Sequence, residues 1–158
     1  AFADLCDKGL AKDWELHLVG TGELFEQVRN SSSGRHPRIT HRGFIQAKNM
    51  PNELAQAGVS VLPSLYEPWG VVVQEHACMA LPLLLSDVVG ARERFLMVHE
   101  NGELHRAGDM ADLQRCLLAM IGADDRALVA MGHRSAQLGQ AWSPKAWAEL
   151  AQQALLAP

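Results

Sequence analysis

Two glutamates flank a strand-to-helix turn in the middle of the chain, within the segment PSLYEPWGVVVQE. Pro68 and Gly70 are both unfavourable inside a helix, so Glu67 is predicted to lie in a loop and a helix to begin near Gly70. Glu75 then lies about one turn inside that helix. One carboxylate is therefore expected at the mouth of a site and the other on its helical wall.

The start of such a helix suits a phosphate group. The backbone N–H groups of Gly70, Val71 and Val72 have no partner within the helix, and the positive end of the helix dipole attracts anions. The carboxylates of Glu67 and Glu75 are unsuited to phosphate but can accept hydrogen bonds from sugar hydroxyls. A ligand with hydroxyls at both ends and phosphates between them fits this layout, and a nucleotide sugar is such a ligand.

Short apolar segments alternate with helical patterns along the whole chain. Strands are predicted at 14–19, 39–45, 59–62, 83–85 and 103–106, and helices near the N-terminus, at 23–29, 51–57, 70–81, 109–121 and 124–138, and from 143 onwards. This alternation predicts an α/β, Rossmann-like open parallel sheet with helices on both faces. Ligands of such sheets bind beyond the carboxyl ends of the strands, so loops 20–22, 44–50, 63–70 and 86–93 are expected along one edge.

Composition limits the classes of protein to which the chain can belong. Its 158 residues, 48% hydrophobic and 20% charged, suit one soluble domain, predicted as 1–158. The net charge of -4 argues against a nucleic-acid partner, and no apolar run approaches the roughly 20 residues of a transmembrane helix. Cys6, Cys78 and Cys116 form no C-x-x-C pair and are interpreted as buried thiols in a reducing compartment.

The central segment resembles the donor-site signature P-S-x-x-E-P-x-G-x-x-x-x-E of retaining glycosyltransferases with the GT-B fold, notably glycosyltransferase family four. Neighbouring motifs resemble those of the family in the same order: a glycine turn at 18–22, a "G-F" strand end at 42–45, a "G-x-P…D-x-G-G-x-P-E" stretch at 81–93, an "N-G-x-L" turn at 101–104 and a helix start at 108–109. The resemblance covers about residues 1–155. It implies the C-terminal, donor-binding half of such an enzyme.

The resemblance also implies roles for the residues at the turn. Glu67 would contact the hydroxyls of the transferred sugar and help to stabilise it in the transition state, and Glu75 would hold the ribose hydroxyls. The amides of Gly70, Val71 and Val72 would cradle the diphosphate, which leaves as an anion. Retaining transfer in this family is thought to occur on the front face of the donor, without an established enzyme nucleophile. Glu67 is therefore not assigned the role of nucleophile.

Two further groups of residues are implied to bind the donor. Phe44 and Ile45 would offer backbone contacts to the base, and Gly20, Thr21 and Gly22 would form a turn that faces the donor cleft. Enzymes with this fold generally need no metal, and the chain has no D-x-D pair. We therefore expect no metal site and no cofactor, the nucleotide sugar being a substrate.

The chain departs from the family pattern at three positions. Ala80 replaces the usual Gly before x-Pro, Val89 replaces the first Gly of the G-G turn, which lies near the sugar in the family, and Arg92 replaces the usual Pro before Glu93. The family's phosphate-binding Arg and Lys lie upstream of the position that matches Ala1. The chain is therefore expected to be a fragment that transfers no sugar alone.

The expected parent is a bacterial-type enzyme that transfers a hexose to a glycan or lipid acceptor, with an N-terminal domain as the partner of this one. Its expected location is the cytoplasm or, as a peripheral protein, the inner face of the membrane. Two alternatives stay open. A nucleotide-binding or regulatory module would keep the fold without turnover, and a flavodoxin-like interaction domain would show no nucleotide-dependent change in stability.

Overall fold

The computed structural model describes residues 1–156, in which parallel strands alternate with helices. The strands are β1 (Leu16–Val19), β2 (Ile39–Gly43), β3 (Ser60–Leu62), β4 (Leu83–Ser86) and β5 (Gly102–His105). The helices are α1 (Phe2–Asp7), α2 (Phe25–Asn30), α3 (Met50–Leu54), α4 (Val71–Cys78), α5 (Arg92–Phe95), α6 (Met110–Gly122), α7 (Asp125–Ala141) and α8 (Pro144–Leu156), with a 3-10 turn at Ala47–Asn49. None of these helices is long and apolar enough to span a membrane.

The five strands form two hydrogen-bonded sheets, both parallel. β1 pairs with β2, and β4 pairs with β3 on one side and β5 on the other. The predicted class, parallel strands covered by helices, is confirmed. The predicted single sheet appears instead as these two ladders, because strand pairing is decided by tertiary packing and not by the apolar pattern of each strand.

β4 is the centre of the core because both of its faces are covered. Leu84 points into a cluster with α1 and α6, whose buried members include Phe2, Leu5, Cys116, Leu117 and Met120. Leu83 and Leu85 point to the opposite face, into a cluster with α4 and α5 that includes Val73, Ala77, Val89, Ala91 and Phe95. An uninterrupted apolar strand of this kind is typical of a parallel sheet buried on both sides.

Side-chain caps fix the starts of the last three helices. Each cap accepts a hydrogen bond from an N–H group in the first turn: Asp109 from Asp112 at 3.0 Å, Asp124 from Ala127 at 2.7 Å, and the Ser143 hydroxyl from Ala146 at 3.1 Å. All three starts agree with the sequence prediction, because capping depends on local residue types.

The structure differs from the sequence prediction in three smaller respects. α4 ends at Cys78, three residues before the predicted end. α5 was not predicted, because four residues are too few to show a helical period. Cys78 is exposed and not buried, whereas Cys116 is buried and Cys6 is half-buried.

Candidate functional site

The turn before α4 is built around Gly70, which is buried and adopts the left-handed conformation with φ 92°. A Cβ atom at this position would lie 3.3 Å from Cγ of Glu67 and 3.3 Å from Cγ1 of Val89. Any residue other than glycine would therefore be strained in its backbone and crowded by these side chains. The predicted helix start is confirmed, since α4 begins at Val71.

The first amides of α4 remain available to a ligand. The N–H of Val73 donates to the carbonyl of Gly70 at 3.0 Å and so begins the helical hydrogen bonding. Within residues 1–156, no acceptor is found for the N–H groups of Gly70, Val71 and Val72. These three donors lie at the positive end of the helix dipole, an arrangement that attracts anions.

Glu67 lies in the loop and Glu75 on α4, as predicted. Glu67 is half-buried, with its Cγ packed towards Gly70, and Glu75 is exposed. Neither carboxylate accepts a hydrogen bond or forms an ion pair within the described part of the chain, and both are therefore available to hydroxyl groups of a ligand. The structure thus brings Glu67, Gly70 and the first turn of α4 into one compact group.

The loop after β4 holds the Glu67 loop in place through backbone contacts. The N–H of Gly90 donates to the carbonyl of Glu67 at 3.1 Å, and the N–H of Ala91 donates to the carbonyl of Trp69 at 2.8 Å. A Cβ atom on Gly90 would lie 2.1 Å from the carbonyl oxygen of Pro68, so only glycine permits this approach. We call the two loops together, residues 63–70 and 86–93, the paired loops.

A buried serine adds a third link between the paired loops. The Ser86 hydroxyl donates to the carbonyl of Ser64 at 2.7 Å, and its side chain is excluded from solvent. Ser86 and Gly90 were not identified from the sequence as positioning residues. The position of Gly90 in the "G-x-P-E" motif could have indicated a close backbone contact. The atom that Gly90 approaches, the carbonyl oxygen of Pro68, lies about twenty residues earlier in the chain, so the sequence does not show which contact it is.

The structure shows the surroundings of the three residues that depart from the family pattern. Val89 is fully buried against Gly70 and the α4 side of the core, so its side chain fills the space beneath the turn. Arg92 pairs with Glu93 at 2.7 Å and donates to the carbonyl of Asp87 at 3.0 Å. Ala80 adopts φ 58°, a left-handed conformation in which glycine would be less strained.

The second group of predicted residues lies at the carboxyl ends of β1 and β2. These parallel strands bring Gly20 beside Gly43, and the N–H of Gly20 donates to the carbonyl of Gly43 at 2.8 Å. Gly20, Thr21, Gly22 and Phe44 are exposed, Phe44 at 73%, and Ile45 is half-buried. Within residues 1–156, no hydrogen bond joins this group to the paired loops.

An ion-pair cluster next to Phe44 was not identified from the sequence. Arg42 on β2 pairs with the shielded carboxylate of Glu53 on α3 at 2.8 Å, and Nδ1 of His17 on β1 lies 3.2 Å from the same carboxylate. The Arg42 guanidinium holds the pKa of Glu53 below its ordinary value. The cluster ties α3 to both strands and so fixes the ends of the loop that carries Phe44 and Ile45.

Groups of His, Cys, Asp and Glu that could hold a metal ion were sought in the described range. No group of three or more such residues occurs there. The independence from metal that the family resemblance implies therefore stays a prediction.

Comparison with known proteins identifies the family. The sequence pattern of the family described as "Glycosyl transferases group 1" matches residues 1–123. The chain belongs to this family. Its predicted Rossmann-like fold is that of the GT-B glycosyltransferases, as the similarity to their solved structures confirms.

Two curated relatives each match more than half of this chain. The α-D-kanosaminyltransferase of Streptomyces kanamyceticus is 30% identical over 95 residues, which are 59% of this chain and 24% of the relative. The uncharacterized glycosyltransferase MJ1607 of Methanocaldococcus jannaschii is 27% identical over 88 residues, 54% of this chain and 22% of the relative. The chain thus spans about a quarter of the length of these relatives.

Solved structures match the fold over nearly the whole chain. S. aureus TarM, in complex with fondaparinux, α-GlcNAc-glycerol and UDP, has a TM-score of 0.81 at 16% identity, over 99% of this chain and 32% of its own. Sucrose-phosphate synthase from Thermosynechococcus elongatus has a TM-score of 0.76 at 22% identity, over 99% of this chain and 43% of the synthase. Anabaena HepE, in complex with UDP and glucose, has a TM-score of 0.73 at 19% identity, over 98% of this chain and 44% of HepE.

Proposed function

We propose that residues 1–158 are the nucleotide-sugar-binding domain of a retaining glycosyltransferase, which transfers a hexose from a nucleoside diphosphate sugar to a glycan or lipid acceptor. The observation that carries this proposal is the arrangement at α4, where, within the described residues 1–156, three amides have no acceptor and the carboxylates of Glu67 and Glu75 have no partner. The relatives are glycosyltransferases, which supports sugar transfer, and the structural neighbours TarM and HepE are in complex with UDP.

The amides of Gly70, Val71 and Val72 would bind the diphosphate. Negative charge develops on this group as the bond to the sugar breaks, and donors that are already oriented stabilise it without a cost of reorganisation. Because Gly70 can adopt φ 92°, the backbone can turn into the helix without a side chain at the phosphates. No metal ion is required for this stabilisation, and we propose that the reaction is metal-independent.

The two carboxylates would orient the ends of the donor. Glu75 would accept hydrogen bonds from the ribose hydroxyls, and Glu67 from the hydroxyls of the hexose. Glu67 is the better positioned of the two for work in the transition state, because its carbonyl is fixed by Gly90 and its side chain is half-buried. A carboxylate held in this way can stabilise the positive charge that develops on the sugar ring as the diphosphate leaves. In the proposed retaining reaction the acceptor attacks the face of the sugar that the diphosphate leaves.

The turn at Gly20, Thr21 and Gly22 and the backbone of Phe44 and Ile45 would enclose the base. Their exposure in this chain leaves them available for such contacts. The acceptor site and the basic residues that complete the phosphate site would come from an N-terminal domain of the whole protein. We propose a cytoplasmic enzyme, or one peripheral to the inner face of the membrane.

Turnover by the whole protein tests this function. A panel of UDP-, GDP- and ADP-hexoses is supplied, and release of the nucleoside diphosphate is measured with Glu67→Gln and the control Glu100→Gln, an exposed glutamate paired with Arg134 outside the paired loops. Glu67→Gln is expected to lower kcat by about a hundredfold or more, as removal of one preorganised polar group does elsewhere, and Glu100→Gln to change it little. Equal effects of the two substitutions, or no release from any donor, would contradict the proposal.

A further inference from the structure

A cleft of about 580 Å³ lies between the α4–α5 region and the junction of α7 with α8. Its walls include Trp69, Trp142 and Trp147, with Phe95, Gln74 and Arg94 among them. We call it the tryptophan cleft. It is lined by none of Glu67, Gly70 and Glu75, and its volume is in the range of small-molecule sites.

Two of the tryptophans that line the tryptophan cleft are supported by neighbouring residues. Trp69 packs edge-to-face on the buried ring of Phe95, with 6.5 Å between ring centroids. Gln74 on α4 donates from Nε2 to the carbonyls of Trp142, at 2.7 Å, and Gly139, at 3.2 Å, and so anchors the end of α7. Trp69 and Trp147 nevertheless stay 47% and 66% exposed. The Trp69 ring is thus supported by Phe95 and the end of α7 by Gln74, and the ring surfaces of Trp69 and Trp147 are left open to the cleft.

The one charged residue that lines the cleft has no anionic partner. The Arg94 guanidinium lies 4.3 Å from the ring centroid of Trp142, a cation–π contact. Within residues 1–156 it has no carboxylate within 4 Å and no hydrogen-bond acceptor, whereas the neighbouring Arg92 pairs with Glu93. Arg94 therefore presents its donors and its charge to whatever occupies the cleft.

Most of the remaining polar groups of the cleft are donors, the Oε1 atom of Gln74 being an acceptor. Within the described range, no acceptor is found for the indole N–H groups of Trp69, Trp142 and Trp147, and the Ser143 hydroxyl uses only its oxygen, for the Ala146 cap. Gln74 already donates to two carbonyls. A ligand suited to these walls offers oxygen acceptors, a negative charge for Arg94 and flat apolar faces for the indole rings.

We propose that the tryptophan cleft binds an acidic saccharide, with the C–H face of a pyranose ring stacked on an indole and a uronic carboxylate paired with Arg94. A sugar ring supplies a flat apolar face and a rim of oxygen atoms, and a carboxylate matches the planar fork of a guanidinium in two parallel hydrogen bonds. A nucleobase would also stack, but it carries no negative charge to pair with Arg94. The cleft shares Trp69 with the paired loops, but none of the residues proposed to bind the donor lines it, and the proposal does not rest on the donor site.

Calorimetric titration of the chain with trigalacturonic acid, and with maltotriose as the neutral trisaccharide, tests the proposal. Tryptophan fluorescence is recorded in parallel. The acidic trisaccharide is expected to bind at least about tenfold more tightly, as charge-assisted hydrogen bonds to Arg94 require. Arg94→Gln is expected to reduce its affinity to that of maltotriose, while Arg126→Gln, which removes a charge outside the cleft, leaves it unchanged.

Stacking is tested separately from charge. Trp147→Ala is expected to weaken both trisaccharides at least about fivefold, because base- or ring-stacking contacts are lost on truncation. Leu150→Ala, an exposed residue of the same helix outside the cleft, is the control and should have no effect. Equal affinity of the parent chain and Arg94→Gln for trigalacturonic acid, binding that UDP displaces, or no binding of either trisaccharide would overturn the proposal.

Discussion

The paired loops at α4 and the ends of β1 and β2 both carry predicted donor-site residues, but they are held by different forces. The paired loops are joined by backbone hydrogen bonds from Gly90 and Ala91 and by the buried Ser86 hydroxyl. The β1–β2 ends are exposed and depend on one backbone contact, from Gly20 to Gly43, and on the Arg42–Glu53 pair. The comparison shows that the paired loops, where we propose that diphosphate and hexose bind, are held more firmly than the β1–β2 ends, where we propose that the base binds.

Gly90→Ala should separate the two paired loops at their backbone contact and have the largest effect on stability. The new Cβ would lie 2.1 Å from the Pro68 carbonyl oxygen, so the backbone must move and the Gly90–Glu67 hydrogen bond is lost. The free energy of unfolding should fall by about 3 kcal/mol, the upper part of the range for forced backbone shifts.

The matched control for this substitution lies in the second region. A Cβ atom on Gly22 meets nothing within 4 Å, so Gly22→Ala should change the free energy of unfolding by less than about 0.5 kcal/mol. Urea unfolding of both variants measures the difference. Equal losses would show that the two regions are packed alike.

Ala80→Gly should stabilise the segment that follows α4. Ala80 has φ 58°, and relief of its left-handed strain, about 1–2 kcal/mol, exceeds the added chain entropy of glycine, about 0.5–1 kcal/mol. The free energy of unfolding should therefore rise by roughly 0.5–1 kcal/mol, a smaller effect of opposite sign.

Thermal or urea unfolding measures this gain against Ala130→Gly, an exposed alanine in the middle of α7. The control should lose about 1 kcal/mol, the ordinary cost of glycine in a helix. If both substitutions destabilise the chain equally, the strain assigned to Ala80 is absent.

Arg42→Gln should give the smallest effect, and it should depend on pH. The folded-state pKa of Glu53 is lowered mainly by Arg42, so the stabilisation is present above the ordinary glutamate pKa and is lost as the pH falls through the folded-state value. The variant should be less stable than the parent at neutral pH, and the difference should vanish in acid.

Urea unfolding across this pH range distinguishes the two regions directly. The loss caused by Gly90→Ala has a steric origin and should persist in acid, whereas the loss caused by Arg42→Gln should not. A pH-independent effect of Arg42→Gln would show that Arg42 acts through packing and not through its charge.

The sequence predicted those features that depend on local constraints. Pro68 and Gly70 locate the start of α4 because neither suits a helix interior, and Asp109, Asp124 and Ser143 locate three helix starts because their side chains cap free N–H groups. The apolar run 83–85 predicted a buried strand, again from local residue types. An uninterrupted apolar run indicates burial on both faces even when the packing neighbours are unknown.

Features that depend on distant parts of the chain could not be predicted in this way. The contact of Gly90 with Pro68, the burial of Val89 under Gly70 and the division of the strands into two sheets all arise when separate segments pack together. The tryptophan cleft could not be predicted either. Trp69 and Trp147 lie far apart in the sequence and line one cleft only in the folded chain.

Two-dimensional NMR titration of the chain with UDP, GDP and ADP tests the central claim most directly, since it reports on each amide. One nucleotide should shift the signals of Gly70, Val71, Val72 and Glu75, and Glu75→Gln should weaken that nucleotide at least about tenfold through the loss of its charged acceptor. Glu100→Gln, which changes an exposed glutamate paired with Arg134, is the matched control and should bind as the parent does. Shifts confined to other residues, or equal binding by the parent and Glu75→Gln, would contradict the account.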